Sequence, residues 1–330
     1  MRLLHVPQTT MFRTVFFTAA VLCSLTVTGQ PQPTIQTNVP LVLVPVTVAD
    51  RKGALVDGLT VDDFILSDEG VRQKIHLDTS DTVLAPVSLV LAIQCSDISS
   101  TALAKINRVG GMIQPLIAGA RGSAAVIAFD DEIRVIQEFT SDSTKIRSAV
   151  EQIHGRSMTV GRMLDAVAES ATMLGAEPQN RRRILIVIGE ARDRGSKTKL
   201  EQAIEQVERA GVVVYPATYS AYLSPWTAKS QDNPPTGGGL LTGLSDLLKL
   251  GQTKTADALA RASGGTHFSF ETLRGLEASL TKTGEEIHGQ YLLSFVPGSS
   301  DNQGFHRLEV LVPSRAEVLI RARAGYWPGN

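Results

Sequence analysis

The sequence predicts an α/β fold: a doubly wound, mostly parallel, Rossmann-like sheet inserted in a small β-sandwich formed by N- and C-terminal strands. Three observations carry this expectation. Continuous apolar runs occur at Ser88–Ile93 (SLVLAI), Ala124–Phe129 (AAVIAF), Ile184–Ile188 (ILIVI) and Val212–Ala217 (VVVYPA), and such runs suit strands buried on both faces. Segments with helical spacing separate most of them, the pattern of βαβ units. Before residue 100 and after residue 289 the chain shows strand patterns and no sustained helical period.

Taken in order, Arg2 and Arg13 precede an apolar run from Val15 to Val27, followed by Gly29 and Gln30-Pro31-Gln32-Pro33. The run is about thirteen residues, short of the roughly 20 a membrane-spanning helix needs. Basic start, short apolar core and polar exit read as a secretory signal over 1–29. Export follows, to the periplasm, the cell surface or the medium, with no transmembrane helix in the mature chain. Residues 34–82 read as the N-terminal part of the sandwich, with Val61–Ser67 and Val71–Leu77 as a hairpin turning at Asp68-Glu69-Gly70. The α/β unit spans 83–288. Helices are expected over 101–118, 143–153, 162–174, 197–210, 254–262 and 271–287, with Val135–Phe139 as the hairpin mate of the second strand. A flexible insert is expected at 220–253, around Asn233–Gly239 (NPPTGGG). Residues 289–327 return to strands: Tyr291–Val296, Arg307–Val312 and Val318–Ala322.

Composition narrows the function classes. With 330 residues and 43% hydrophobic content, the chain can build its own core. A balance of 32 basic against 33 acidic residues argues against a nucleic-acid binder. Two cysteines, one of them in the leader, leave Cys95 alone in the exported chain, too few for a disulfide framework or a Cys-rich zinc site. The six histidines form no His-x-x-x-His or His-x-His pair. Gly189–Thr198 lies between a strand and a helix, but its glycine and lysine spacing does not match a phosphate-binding loop, so no nucleotide is expected. Gly237–Gly243 has no strand leading into it and reads as a linker. No Gly-x-Ser-x-Gly elbow is present, and no enzyme is expected.

One constellation remains. In an open parallel sheet, ligands bind at the carboxyl ends of the strands. Three loops meet there: Gln94–Ser99, Ser157–Gly161 and Gly189–Asp193. Their hydroxyls and carboxylates are the oxygen donors a hard cation takes. Equally, Ser99, Thr159 and Asp193 could cap the helices they precede.

These loops, in this order, resemble a von Willebrand factor type A domain. More narrowly, the chain resembles the exported VWFA-related proteins of acidobacteria. The matching residues are Val46-Thr47-Val48 with Asp50 and Gly53, Gly58-Leu59-Thr60 with Asp63-Phe64 and Glu69-Gly70, then Pro86-Val87-Ser88, Phe129-Asp130, Phe139-Thr140, Leu164-Asp165-Ala166, Arg307 and Arg323-Ala324-Gly325-Tyr326. The resemblance implies a metal site built from an Asp-x-Ser-x-Ser loop, a later Thr and a later Asp. Here Gln94 stands for the first Asp, Ser96 matches the first Ser, and Ile98 replaces the second. Gly161 falls where the Thr is expected, and Glu190 replaces the last Asp. Gln94 removes a compensating charge, Ile98 offers no oxygen, and Glu190 is one methylene longer than geometry-sensitive Mg²⁺ favours. The expectation is therefore a degenerate site without metal or other cofactor. The implied role is protein binding or adhesion, toward an unidentified protein or surface polymer. The alternative is a Mg²⁺ site in a register shifted by three residues, using Asp97, Ser99 and Thr159, with Asp193 nearby. Cys95 reads as a small buried residue at a strand end; intermolecular disulfide formation is its alternative.

Overall fold

A computed structural model describes residues 41–78, 86–96, 122–156, 160–178, 180–219, 255–298, 304–315 and 317–328. The leader, the helix expected over 101–118 and the insert at 220–253 lie outside the described residues. Chain order begins with β1 (Val42–Ala49), a 3₁₀ turn at Val61–Asp63, β2 (Ile65–Asp68), β3 (Val71–Arg72) and β4 (Ile75–Asp78). The α/β unit follows: β5 (Val87–Gln94), β6 (Ser123–Phe129), β7 (Ile133–Thr140), α1 (Ser143–Glu151), α2 (Met163–Gly175), β8 (Arg182–Glu190), α3 (Leu200–Arg209), β9 (Val212–Tyr219), α4 (Thr255–Ser263), β10 (Phe268–Ser269) and α5 (Leu273–Gly289). The chain closes with β11 (Tyr291–Phe295), β12 (His306–Leu311), β13 (Leu319–Ala322) and β14 (Gly325–Tyr326). Among the described residues, no helix is long and apolar enough to cross a membrane.

The central sheet has six strands in the order β10-β9-β8-β5-β6-β7. All neighbours are parallel except β7, which turns back antiparallel on β6. Side-chain alternation divides each strand between two layers. Leu89, Leu91, Ile93, Ile184, Ile186 and Ile188 face one layer, closed by Ile146 and Val150 of α1 and by Leu276, Leu280 and Ile287 of α5. Val90, Ala92, Ala125, Ile127, Leu185 and Val187 face the other, closed by Val167 and Ala171 of α2, Ile204 and Val207 of α3, and Leu259 of α4. Burial on both faces is why these strands read as unbroken apolar runs. Local signals set the helix ends. Asp142 caps α1 by accepting from Thr144 N at 2.9 Å. Gly211 follows α3 at φ +63°, a conformation glycine adopts without a Cβ penalty. The winding reverses between β5 and β8, so Gln94 and Glu190, their last residues, lie at the switch point where such sheets bind ligands.

The flanking strands form two four-stranded sheets, β13-β1-β11-β4 and β14-β12-β2-β3. Val44, Val46, Phe64, Leu66, Leu293, Phe295, Leu308 and Val310 fill the space between them. β1 pairs with β11 and β13, and β2 with β12, so strands from the two chain ends interleave. The expected hairpin between 61–67 and 71–77 is corrected here. β3 pairs with β2 over two residues only, Ser67 with Arg72 and Asp68 with Val71. The chain then crosses to the other sheet, where Ile75–Asp78 pairs with β11 over four residues. The longer ladder wins, and it lets Ile75 and Leu77 pack against the sandwich core.

The last strand, β14, was not expected from the sequence. A Cβ at Gly325 would lie 2.1 Å from the His306 carbonyl oxygen, so only glycine permits this approach. Behind it, Tyr326 Oη donates to Asp68 Oδ2 at 2.7 Å, and His306 Nδ1 lies 3.0 Å from Asp68 Oδ1. All three residues are buried, and together they join β2, β12 and β14. Replacing Tyr326 by Phe leaves a buried carboxylate oxygen short of a donor. The expected cost is about 1–3 kcal/mol, read as a lower urea midpoint with an unchanged m-value.

Candidate functional site

The site is built from the carboxyl end of β5 outward. Gln94 is 1% exposed, and both ends of its carboxamide are used. Nε2 donates to Ser96 Oγ at 2.8 Å, and Oε1 accepts from Glu190 N at 2.8 Å. The side chain lies between two glycines. A Cβ at Gly161 would come within 2.3 Å of Gln94 Nε2, and one at Gly189 within 2.6 Å of Gln94 Oε1. Both are closer than any real contact, so the carboxamide has this space because positions 161 and 189 carry no side chain.

Glu190 is buried, and Arg194 Nε donates to its Oε2 at 2.9 Å. The backbone of Arg194 bridges Gly161 in both directions, Gly161 N to Arg194 O at 3.1 Å and Arg194 N to Gly161 O at 3.0 Å. The loop after β8 is therefore zipped onto the segment that enters α2. Asp193 strengthens this contact. Its Oδ1 accepts from Leu164 N at 3.0 Å and from Ser196 Oγ at 2.6 Å. Asp193 thus caps α2, whose own N-cap residue Arg162 makes no side-chain cap bond. This corrects the expectation that it caps the helix following it: the orphan amides at the start of α2 lie closer to the loop than those of α3. In return, Asp165 accepts from Thr198 N at 2.8 Å. Burial alone would raise the Asp165 pKa, but hydrogen bonds from Thr198 and Lys197 hold it below the ordinary carboxylate value.

A second cluster adjoins Gln94. Cys95 is 0% exposed, and its Sγ lies 3.3 Å from Asp130 Oδ2. Arg134 donates through Nη1 to Asp130 Oδ1 and through Nη2 to Asp130 Oδ2, each at 3.1 Å, and Nη2 also reaches Cys95 Sγ at 3.0 Å. Arg156 Nη1 lies 3.5 Å from Asp130 Oδ2. Burial acts against the charge on Asp130, yet the Arg134 fork and the Glu132 amide outweigh it and bring its carboxyl down to about 2. Burial first, then the Asp130 charge, push the Cys95 thiol up to about 12. Arg156 N also donates to Cys95 O at 2.8 Å, tying the end of β5 to the segment after α1.

Gln94, Ser96, Gly161 and Glu190 thus converge, with Asp193 one step removed. Asp97, Ile98, Ser99 and Thr159 lie outside the described residues. Sequence reasoning missed Gly189, Arg194, Asp130 and Arg134 as site components. Gly189 carried a usable signal, because a glycine ending an apolar strand often marks a close approach. Asp130 figured only as part of the Phe129-Asp130 match, and the two arginines carried no signal, since a surface arginine and a buried one look alike in sequence. Chemically, the face presents an amide, a hydroxyl and paired charges. Among the described residues, no group of three or more His, Cys, Asp or Glu side chains is placed to hold a metal ion.

The α/β unit has the doubly wound topology that the type A resemblance implies. No family model matches the chain, and no curated protein matches it. Solved structures similar to it include a von Willebrand factor type A protein from Catenulispora acidiphila, with 12% identity, a TM-score of 0.45, and coverage of 88% of this chain and 75% of that one. Others are an aerotolerance-related membrane protein from Bacteroides fragilis, with 14% identity, a TM-score of 0.43 and coverage of 61% and 99%, and BatB from Bacteroides thetaiotaomicron, with 14% identity, a TM-score of 0.41 and coverage of 61% and 98%. At these values the likeness assigns no role to any residue.

Two outcomes are expected of this geometry. Gly161→Thr forces a side chain into the Gln94 carboxamide and costs about 1–3 kcal/mol. Gln94→Ala relieves the clash, so in a double-mutant cycle by urea denaturation the pair costs less than the sum of the singles. Cys95, buried and protonated, resists iodoacetamide at pH 8. Mass spectrometry of its peptide shows modification at least about a hundredfold slower in the native protein than in guanidinium, because the thiolate is the reactive form.

Proposed function

We propose that this chain is an exported, non-enzymatic binding module. It engages another protein or a surface polymer through the carboxyl-end face of its central sheet, and it does so without a resident Mg²⁺. The observation that carries this reading is the Gln94 carboxamide, held between Gly161 and Gly189 with both its polar ends in use.

The residues at the family's ligand positions do not fit a dication. Gln94 directs an N–H donor, not an oxygen, toward Ser96. Position 161 has no side-chain oxygen, and a Thr there would overlap Gln94. Glu190 already has a cation partner in Arg194. Mg²⁺ demands near-octahedral oxygen ligation at about 2.0–2.1 Å and gives up its waters reluctantly. A filled, charge-satisfied pocket cannot repay that dehydration.

The chemistry of the face also supports a binding role over a catalytic one. Its thiol is buried and held protonated by its surroundings. Its carboxylates are engaged: Asp130 by Arg134 and Arg156, Glu190 by Arg194, and Asp193 by the start of α2. Recognition would then rest on loop shape and hydrogen bonding at a preorganised surface, which contributes affinity by reducing the ordering cost of association. The basic, apolar and Pro-containing leader supports export.

Calorimetry tests the reading. The wild-type protein titrated with millimolar MgCl₂ or MnCl₂ gives no heat of binding, whereas Gln94→Asp/Ile98→Ser/Gly161→Thr/Glu190→Asp, which restores the oxygen set, gives a measurable one. A wild-type heat abolished by Asp97→Ala overturns the proposal in favour of the shifted ligand set. Partners captured by the mature protein are the same with and without EDTA.

A further inference from the structure

Far from the sheet's carboxyl end, the last turn of α3 meets the end of the sandwich. Glu208 lies in this contact with 4% of its surface exposed. Its Oε1 and the buried indole Nε1 of Trp327 both lack a well-formed hydrogen bond, and the indole N–H faces the carboxyl. The nearest counter-charge, Arg323, spends its donors on backbone: Nε on Gly325 O at 2.6 Å and Nη2 on the carbonyl of Glu208 itself at 2.5 Å. The Trp327 ring carries the Arg209 guanidinium 4.2 Å above it, and the Phe305 ring is tilted against it with 5.8 Å between centroids. Buried carboxyls are normally paired. This one sits in a junction whose cation is committed elsewhere.

We propose that this junction is a proton-operated clasp: a protonated Glu208 lets α3 close over Trp327, and ionisation of Glu208 releases Trp327 to solvent.

The groups that face Glu208 are few. From α3 itself come Glu205, one turn earlier, and Arg209, which are paired to each other at 2.9 Å. The link between β13 and β14 supplies Arg323, and the end of the chain supplies Trp327. From β8, Arg183 Nη1 donates to Ala210 O, just past the helix end. Burial dominates the balance against the charged form. Arg323 and the indole dipole favour the carboxylate, Glu205 opposes it, and the carboxyl is pushed up to about 8.

The direction of the effect follows from linkage. An unfolded Glu ionises near 4.5, the folded one near 8. Between those values folding takes up a proton, so stability falls as pH rises. The contribution of the clasp is complete below about pH 4.5 and lost by about pH 8. Local opening relieves the buried charge without global unfolding. Neighbouring contacts stay in place: Ala324 N still donates to Ala262 O at 3.0 Å, and Gly264 still packs against the backbone of Ala322 and Arg323. The released element is therefore the Trp327 side chain.

The chain has two tryptophans, so Trp226→Phe leaves Trp327 as sole reporter. Acrylamide quenching is followed from pH 5.5 to 9.5, with far-UV circular dichroism recorded at each point. Quenching is expected to rise at least about twofold as the ring reaches solvent, the rise being complete by the Glu208 value of about 8. Adding Glu208→Gln, which keeps the shape and removes the titration, holds quenching at its low value throughout. Equal shielding at pH 6 and pH 9 with unchanged circular dichroism overturns the proposal. So does an identical transition in the Glu208→Gln protein. The first of these needs no substitution at Glu208, so it decides even where that variant fails to fold.

Discussion

The whole arrangement hangs on one buried carboxylate, Glu286. An α/β unit inserted into a sandwich must leave it and return to it at one place. Here β4, the last strand before the insertion, pairs with β11, the first strand after it, so departure and return are neighbours. Glu286, in the last turns of α5, sits beside that seam. It accepts from Thr47 of β1 at 3.2 Å, from Thr266 at 2.9 Å and from Arg321 of β13 at 3.0 Å. Gln290 continues the seam, donating to Tyr215 Oη of β9 and to Thr47 Oγ1. A buried charge tolerates only the geometry that satisfies it. The polar seam thus ties α5 to β1, to β13 and to the loop before β10.

Glu208 is the counterpart of Glu286 on the same molecule. Both are buried where the α/β unit meets sandwich strands, yet one collects donors from three elements and the other has an oxygen without a partner. The difference lies in how each nearby arginine is spent. Arg321 reaches the Glu286 carboxylate, whereas Arg323 is consumed by two carbonyls. The same group is thus satisfied at one seam of the interface and left with an unpaired oxygen at the other.

At the carboxyl end of the sheet, Gln94, Gly161 and Gly189 form a single packing event. Gln94 is longer than Asp, and its carboxamide needs room. Gly161 and Gly189 supply that room, and a threonine at 161 would remove it. Arg194 then matches Glu190, while its backbone closes the strand-like bridge to Gly161. These residues form one coupled set, so the face is a filled and internally bonded surface. Cys95, Asp130 and Arg134 extend the same principle, with each buried polar group paired inside the protein.

The sequence by itself determined the sheet, its parallel core strands and most helix positions, because burial on both faces and helical period are written locally. It also named Gln94, Ser96, Gly161 and Glu190 as the residues to look for at the carboxyl end of the sheet. Only the tertiary structure decided what those residues do. Nothing local in Gln94 or Gly161 says that one fills the space of the other, since they are far apart in sequence and meet across two loops. Nor could the sequence assign Asp193 to α2 over α3, a choice set by which helix start lies nearer. The hairpin after Asp68 is shorter than expected for the same reason: strand alternation fixes which face is apolar, but pairing depends on which edge is open, and the edge of β11 exists only once the distant C-terminal strands are in place.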